Sequence, residues 1–256
     1  MKAVAIVPAR LASTRCPGKV MAPLCGIPMV GHCYHRARLA KGIAASYVAT
    51  CDEEIAVYVR SIGGTPVITS ATHTRATGRT AEALQHIEAT TGERIDVAVM
   101  VQGDEPLTLP ETIAETLVPF TDSAIEIVNV MARLRTRDEF LDHNNVKVVV
   151  NQNDDAMYFS REPIPSPWRG TDRLPMYMQT GIIAFRREAL LRFNDTAETP
   201  LEGLESVDMN RVIESGGRIR MIRTDALTFG VDTPAELKAV ESLPAADSTL
   251  VRYCNQ

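Results

Sequence analysis

Residues 3–19 read AVAIVPARLASTRCPGK. Ala3 to Val7 is an uninterrupted apolar run too short for a helix, the pattern of a strand buried on both faces of a parallel sheet. Within the next stretch Arg10, Arg15 and Lys19 are spaced by small residues and closed by Pro17-Gly18. Such a loop is either a solvated basic turn or a cradle for a ligand with several negative charges. Arginine grips phosphate through paired N–H groups and lysine as a point charge, so both residue types suit the second reading. The spacing matches neither a Walker loop nor a Gly-x-Gly-x-x-Gly fingerprint.

Working outward, strands and helices alternate. Met29 to Ala40 has helical length and spacing, Ser46 to Thr50 reads as a strand, and Glu53 to Ile62 as a helix ending at Gly63-Gly64. Pro66 to Thr69 is the next short strand, and Asp96 to Val101 (DVAVMV) the clearest buried one. A helix with proline in its first turn is expected over Pro110 to Leu117. This alternation predicts right-handed crossovers and a mostly parallel sheet. Between Ala124 and Phe185 the runs IEIVNVMAR, VKVVVNQ, AMYFSR and TGIIAFR are strand-like, and PIPSPWRGTDRLP (163–175) reads as a loop. A helix around Glu205 to Glu214, a strand at Arg218 to Arg223 and a helix from Thr233 to Ser242 complete the core.

With 256 residues, 45% hydrophobic and 23% charged, the chain can bury a sizeable core, which excludes disorder. The net charge of -5 argues against nucleic-acid or membrane-surface partners, so an anion site has to be local. Five cysteines without Cys-x-x-Cys spacing suggest neither a disulfide framework nor a zinc cluster. No segment approaches the roughly 18 apolar residues of a membrane span. A cytoplasmic protein is expected.

Ligands of open parallel sheets bind where the carboxyl ends of strands deliver their loops. The basic loop sits at one such end and QGDEPL (102–107) at another, which puts Asp104 at the cleft edge. A hard cation such as magnesium would take a carboxylate there together with substrate phosphates. A second carboxylate, Asp232 in FGVDTPAEL, precedes a helix start and reads equally as an N-cap.

The stretches IVPARLASTRCPGK, GRTAEAL, VQGDEPL, NNVKVVVNQNDDAMYFSREPIP and GVDTPAEL, in this order, resemble the nucleotide-diphosphosugar transferase family. Within it they are most similar to the cytidylyltransferases that activate 3-deoxy-manno-octulosonate (KDO). The likeness covers Ala5 to about Leu237. It implies a Rossmann-like α/β fold with a mostly parallel central sheet and a strand-rich insertion. One cytidylyltransferase domain is expected, with nucleotide-binding parts at about 1–120 and 225–245. The acceptor-binding and dimerisation part spans about 124–223.

The resemblance further implies CTP across the first strand ends, contacted by Ala9, with Arg10, Arg15 and Lys19 on its phosphates, Arg79 supporting the nucleotide and Gln102 near the cytidine. Asp104 and Asp232 would hold Mg2+, and with Arg10 and Lys19 they form the expected catalytic set. Arg161 would face an anionic acceptor, with Gln179 and Glu205 beside it, in a homodimer. The expected chemistry is in-line attack of an acceptor oxygen on the α-phosphorus of CTP, with loss of pyrophosphate.

Departures from the family pattern fall where the acceptor is expected. The chain reads RATGR where Ser-Gly-Thr-Glu/Asp-Arg is usual, Gln179 stands for His, Ile183 for Tyr and Met209 for Gln. Each lost donor is worth about 0.5–1.5 kcal/mol to a hydroxylated acceptor. The acceptor is therefore expected to be KDO, a modified ulosonic acid, or a small phosphonate. A nucleotide-binding regulator without turnover is the reading from another class, and the two aspartates argue against it.

Overall fold

The computed structural model describes residues 1–12, 16–170, 174–226, 230–231, 234–241 and 248–254. Eleven strands lie in chain order: β1 Ala3–Pro8, β2 Pro23–Leu24, β3 Ile27–Pro28, β4 Ile43–Thr50, β5 Thr65–Ile68, β6 Val97–Val101, β7 Ile127–Arg133, β8 Lys147–Val150, β9 Ala156–Ser160, β10 Tyr177–Arg186 and β11 Arg220–Thr224. The main sheet runs β11-β7-β10-β6-β1-β4-β5, with β8 and β9 attached beside β10. Strand β1 pairs in parallel with both β4 and β6, β5 with β4, and β11 with β7.

The central strands are apolar on both sides because both faces are covered. Ala3, Ala5 and Val7 of β1 pack with Val97, Val99 and Val101 of β6 under Val30, Cys33 and Val59 from helices α1 (Met29–Leu39) and α2 (Glu53–Ser61). Val4, Ile6, Ala98 and Met100 point the other way, against Ala81, Leu84 and Ile87 of α3 (Ala76–Thr91). The period of two in side-chain direction and the short continuous runs thus have one cause, burial between two helical layers.

The region after residue 124 is less of an insertion than its strand-rich sequence suggests. Strand β10 lies antiparallel between β6 and β7, pairing Ile183 with both Met100 and Asn129, so it completes the central sheet. Its Ile182 and Ala184 join one core layer while Ile183 and Phe185 join the other. Only the β8–β9 pair stands off the main path.

A second correction concerns Glu205 to Glu214. There are two helices here, Pro200–Glu205 and Met209–Glu214. Ser206 ends the first one in the left-handed region, at φ 53°, which interrupts the helical ladder. The earlier helix begins in a capping box at Thr199 and Glu202, which sequence periodicity alone did not mark. The 16-residue α3 was expected only as a motif, and it is the helix that brings Arg79 to the site. No disulfide links the five cysteines. No described helix is long and apolar enough to cross a membrane.

Candidate active site

A cavity of about 430 Å³ opens at the carboxyl ends of β1 and β6. Three loops meet there, each for a local reason. The β1 loop is drawn back by Gly18 N–H donating to the Leu11 carbonyl at 2.9 Å, with Gly18 at φ 73°. The following turn Lys19–Met21 then buries Lys19 at 7% exposure. The QGDEP loop is tied down by Gly103 N–H to the Pro8 carbonyl at 3.3 Å and by Glu105, whose Oε1 accepts from Gly181 N–H at 2.6 Å. A Cβ on Gly103 would lie 2.9 Å from the Pro8 carbonyl oxygen, so the two loops approach this closely only through glycine.

Lys19 and Asp104 meet in this junction. The Lys19 ammonium donates to Asp104 Oδ2 at 2.7 Å and to the Val231 carbonyl at 2.7 Å. Val231 N–H donates to the Asp104 carbonyl at 2.9 Å, which brings the segment ending at Val231 to the same loop. Asp232 and Arg15 lie outside the described residues. Among the described residues no group of three or more acidic, histidine or cysteine side chains gathers as a metal cage.

Arg10 and Arg79 give the cavity its charge. Arg10 is held by the main chain ahead of α3, Nη1 donating to the His73 carbonyl at 3.1 Å and Nη2 to the Thr74 carbonyl at 3.4 Å. Arg79 is 2% exposed; its Nη1 donates to Thr69 Oγ1, while its buried Nη2 has no hydrogen-bond partner among the described residues. Neither arginine makes an ion pair with a described carboxylate, although both line the cavity. A buried guanidinium with an unused donor costs stability. The N-terminus of α3 points the same way and adds its partial positive charge.

Ala9 and Gln102 also line the cavity, and Gln102 is wedged beside Gly181, where a Cβ would fall 2.6 Å from its side chain. His73 lines the cavity too, its ring paired with Glu82. At the far end stand Arg161 and Gln179. Gln179 Nε2 donates to Asn129 Oδ1 at 2.8 Å, and Ile183 forms part of the wall where the family pattern has a tyrosine.

Glu205 is the exception, because it stands behind Arg161 and off the cavity wall. Its Oε1 accepts from the hydroxyls of Tyr158 and Ser160, at 3.0 and 2.7 Å, and its Oε2 from Arg161 N–H at 2.8 Å. Burial pushes the Glu205 carboxyl up, but the Arg161 N–H and the two hydroxyls outweigh it and hold the group below its ordinary value of 4.5. A carboxyl depressed on folding stabilises the protein fully above its unfolded value and loses that contribution as pH falls through the folded one. The stability gap between the native chain and Glu205→Gln is therefore expected to stay level from pH 8 to about 5 and to close below 4.5. Urea titrations across that pH range check this; a gap that widens on acidification contradicts it.

Sequence reading missed Arg75 and the turn Ser206–Asp208. Arg75 Nη1 donates to the Ser206 carbonyl and Oγ at 3.3 and 3.1 Å, and Thr77 Oγ1 to Asp208 Oδ2 at 2.5 Å. Burial raises the Asp208 carboxyl against the pull of Thr77 and Arg75. The two ties join the start of α3 to the turn at 206–208, both on the cavity wall. RATGR carried both partners, Arg75 just before α3 and Thr77 in its first turn, but nothing in the sequence linked it to residues 206–208.

The family model described as "Cytidylyltransferase" matches residues 4–220. A 3-deoxy-manno-octulosonate cytidylyltransferase of Geobacter metallireducens is 43% identical over 95% of this chain and 98% of its own. The enzyme of that name from Escherichia coli is 35% identical over 96% of this chain and 97% of its own. The solved structure of a CMP:2-keto-3-deoxy-manno-octonic acid synthetase complexed with CTP superposes with a TM-score of 0.86 at 35% identity, covering 96% of this chain and 99% of that one. A cytidylyltransferase from Leptospira borgpetersenii, 17% identical, shares the fold with a TM-score of 0.64. The chain belongs to the cytidylyltransferase family of nucleotidyltransferases.

Proposed function

We propose that this enzyme transfers CMP from CTP to 3-deoxy-manno-octulosonate or a closely related ulosonic acid, releasing pyrophosphate. The observation that carries the reading is the pair Arg10 and Arg79, two cations that line the cavity at the mouth of strands β1 and β6 and make no ion pair with a carboxylate among the described residues. The reading assigns the triphosphate to Arg10, Arg15, Lys19 and Arg79, the cytosine to the Gln102 end with Ala9, and the acceptor carboxylate to Arg161. It includes a homodimer through the 124–185 region, where Trp168 is 89% exposed, and a cytoplasmic location.

Magnesium is proposed at Asp104 and Asp232. Asp104, on the wall of a polyphosphate cleft, suits an ion that takes one or two carboxylates and completes its shell with phosphate oxygens and water. When bound it neutralises charge on the triphosphate. The protein's own part is placement: Lys19, pinned between Asp104 and the Val231 carbonyl, stands ready for the charge that develops as pyrophosphate departs. Arg79, on the cavity wall, serves as an anion receptor for the nucleotide phosphates through its charge, and Arg161 orients the acceptor. No side-chain nucleophile is required.

The test is a screen of pyrophosphate release with CTP, UTP, ATP and GTP, each against KDO, an amino- or deoxy-substituted octulosonate, sialic acid and a small phosphonate. CTP with an eight-carbon ulosonate is expected to lead by at least about tenfold in kcat/KM, the discrimination that one well-placed hydrogen bond supplies. Faster turnover of the phosphonate would replace the acceptor while leaving the nucleotide. Binding of CTP with no turnover of any acceptor would favour a regulatory protein.

A further inference from the structure

Arg161 is held by groups that the cavity does not see. Its N–H donates to Glu205 Oε2 at 2.8 Å, its Nε to the Glu205 carbonyl at 2.8 Å and its Nη1 to the His143 carbonyl at 2.9 Å. The Arg161 carbonyl accepts from the ammonium of Lys147, a fully buried residue that also donates to the Asp142 carbonyl at 2.8 Å. Backbone and guanidinium are thus fixed from both sides. Glu205 is fastened in turn by Tyr158 and Ser160, from the strand that leads into Arg161. Strand β9, the turn after it and the helix ending at Glu205 form one frame around a single side chain.

We infer that Glu205 is a positioning residue for the acceptor site, acting through Arg161 without touching the acceptor, with Lys147 fixing the same residue from below. Two observations separate this from direct contact. Glu205 is absent from the cavity wall, and both its carboxylate oxygens are spent on protein donors. The physical gain is pre-organisation. An arginine side chain carries much rotamer entropy, and a guanidinium already held in place does not lose it on gripping a carboxylate. Ser206 follows Glu205 directly and bonds Arg75, so the frame also borders the nucleotide side.

The inference rests on Arg161 facing the acceptor, and the experiment keeps the two apart. Glu205→Gln, Arg161→Met and the double variant are compared in the pyrophosphate-release assay with the best acceptor of the screen, fitting KM separately for acceptor and CTP. Glutamine keeps the shape but turns an N–H toward either the Arg161 N–H or the two hydroxyls. Glu205→Gln is expected to raise the acceptor KM about tenfold, the scale of one lost charged hydrogen bond, and to leave the CTP KM within about twofold. In the Arg161→Met background it is expected to add nothing, because coupled residues are not additive. Tyr158→Phe, which removes one donor, should raise the acceptor KM by less and serves in the cycle if Glu205→Gln melts below assay temperature.

Additive losses in the double variant, an unchanged acceptor KM, or equal rises in both KM values would overturn the inference alone. An intact enzyme that turns over no acceptor in the screen overturns the proposed acceptor and this inference together.

Discussion

Replacing Arg79 by methionine is expected to lower kcat/KM for CTP by about 100- to 1000-fold while leaving the protein as stable as before, or more so. The first half follows from removing a pre-positioned donor from a site that stabilises phosphoryl charge. The second follows from burial: Arg79 is 2% exposed and its Nη2 has no hydrogen-bond partner among the described residues. Keeping a desolvated donor unused costs about 1–3 kcal/mol, which an apolar side chain of similar length avoids. For a chain of this size each kilocalorie moves the melting temperature by about 2–4 °C. Calorimetry and steady-state kinetics on one preparation decide the matter. A variant that loses activity and melts lower would show Arg79 to be a prop for α3 and Thr69, and the anion-receptor reading would fall.

Asp104→Asn is expected to cost activity on a similar scale, about 100- to 1000-fold in kcat, but with the opposite effect on stability. Asparagine keeps the shape and the backbone bond to Val231 while removing the negative charge beside Lys19. Lys19 is 7% exposed, and losing a charged hydrogen bond of this kind costs about 1–3 kcal/mol. The proposed magnesium site predicts a further sign. The half-saturating Mg2+ concentration should rise in Asp104→Asn and stay near its native value in Arg79→Met, since only the first change removes a carboxylate from the ion. A Mg2+ response identical in native and Asp104→Asn protein would remove Asp104 from the metal and leave it as the lysine's partner.

These two changes differ in sign for stability because the site holds two kinds of cation. Lys19 is neutralised inside the protein, so its partner is structural even without ligand. Among the described residues Arg10 and Arg79 are held by neutral oxygens, of His73, Thr74 and Thr69, with no carboxylate against either. Arg161 is held by the main-chain carbonyls of Glu205 and His143 and, through its N–H, by the Glu205 carboxylate.

Much of this was legible in the chain before folding. The runs Ala3–Val7 and Asp96–Val101 announced central strands because two-sided burial removes polar residues from both faces, and the structure places them side by side. The loops after them pointed to a cleft because ligands of open parallel sheets bind at the carboxyl ends of strands, while the residues by themselves also fitted a solvated basic turn. Strand β10 was recognised, yet its place between β6 and β7 was not, since an apolar run looks alike at the centre of a sheet and in an appended piece. The helix break at Ser206 was invisible as well. Left-handed geometry at a serine is imposed by what it bonds, and its partner, Arg75, lies 131 positions earlier.

Local chemistry therefore determined the elements, the two loops and the residue types that suit a triphosphate, because periodicity, turn residues and charge act over a few positions. Tertiary structure decided which charges are spent and which are free. Lys19 and Arg10 sit in one loop, but Lys19 finds a carboxylate 85 positions away while Arg10, among the described residues, finds carbonyls. Glu205 and Arg161, 44 positions apart, meet so that one orients the other. Whether a cation meets a carboxylate depends on distances that only the folded chain sets, and so the reading of charge as function waited for the fold.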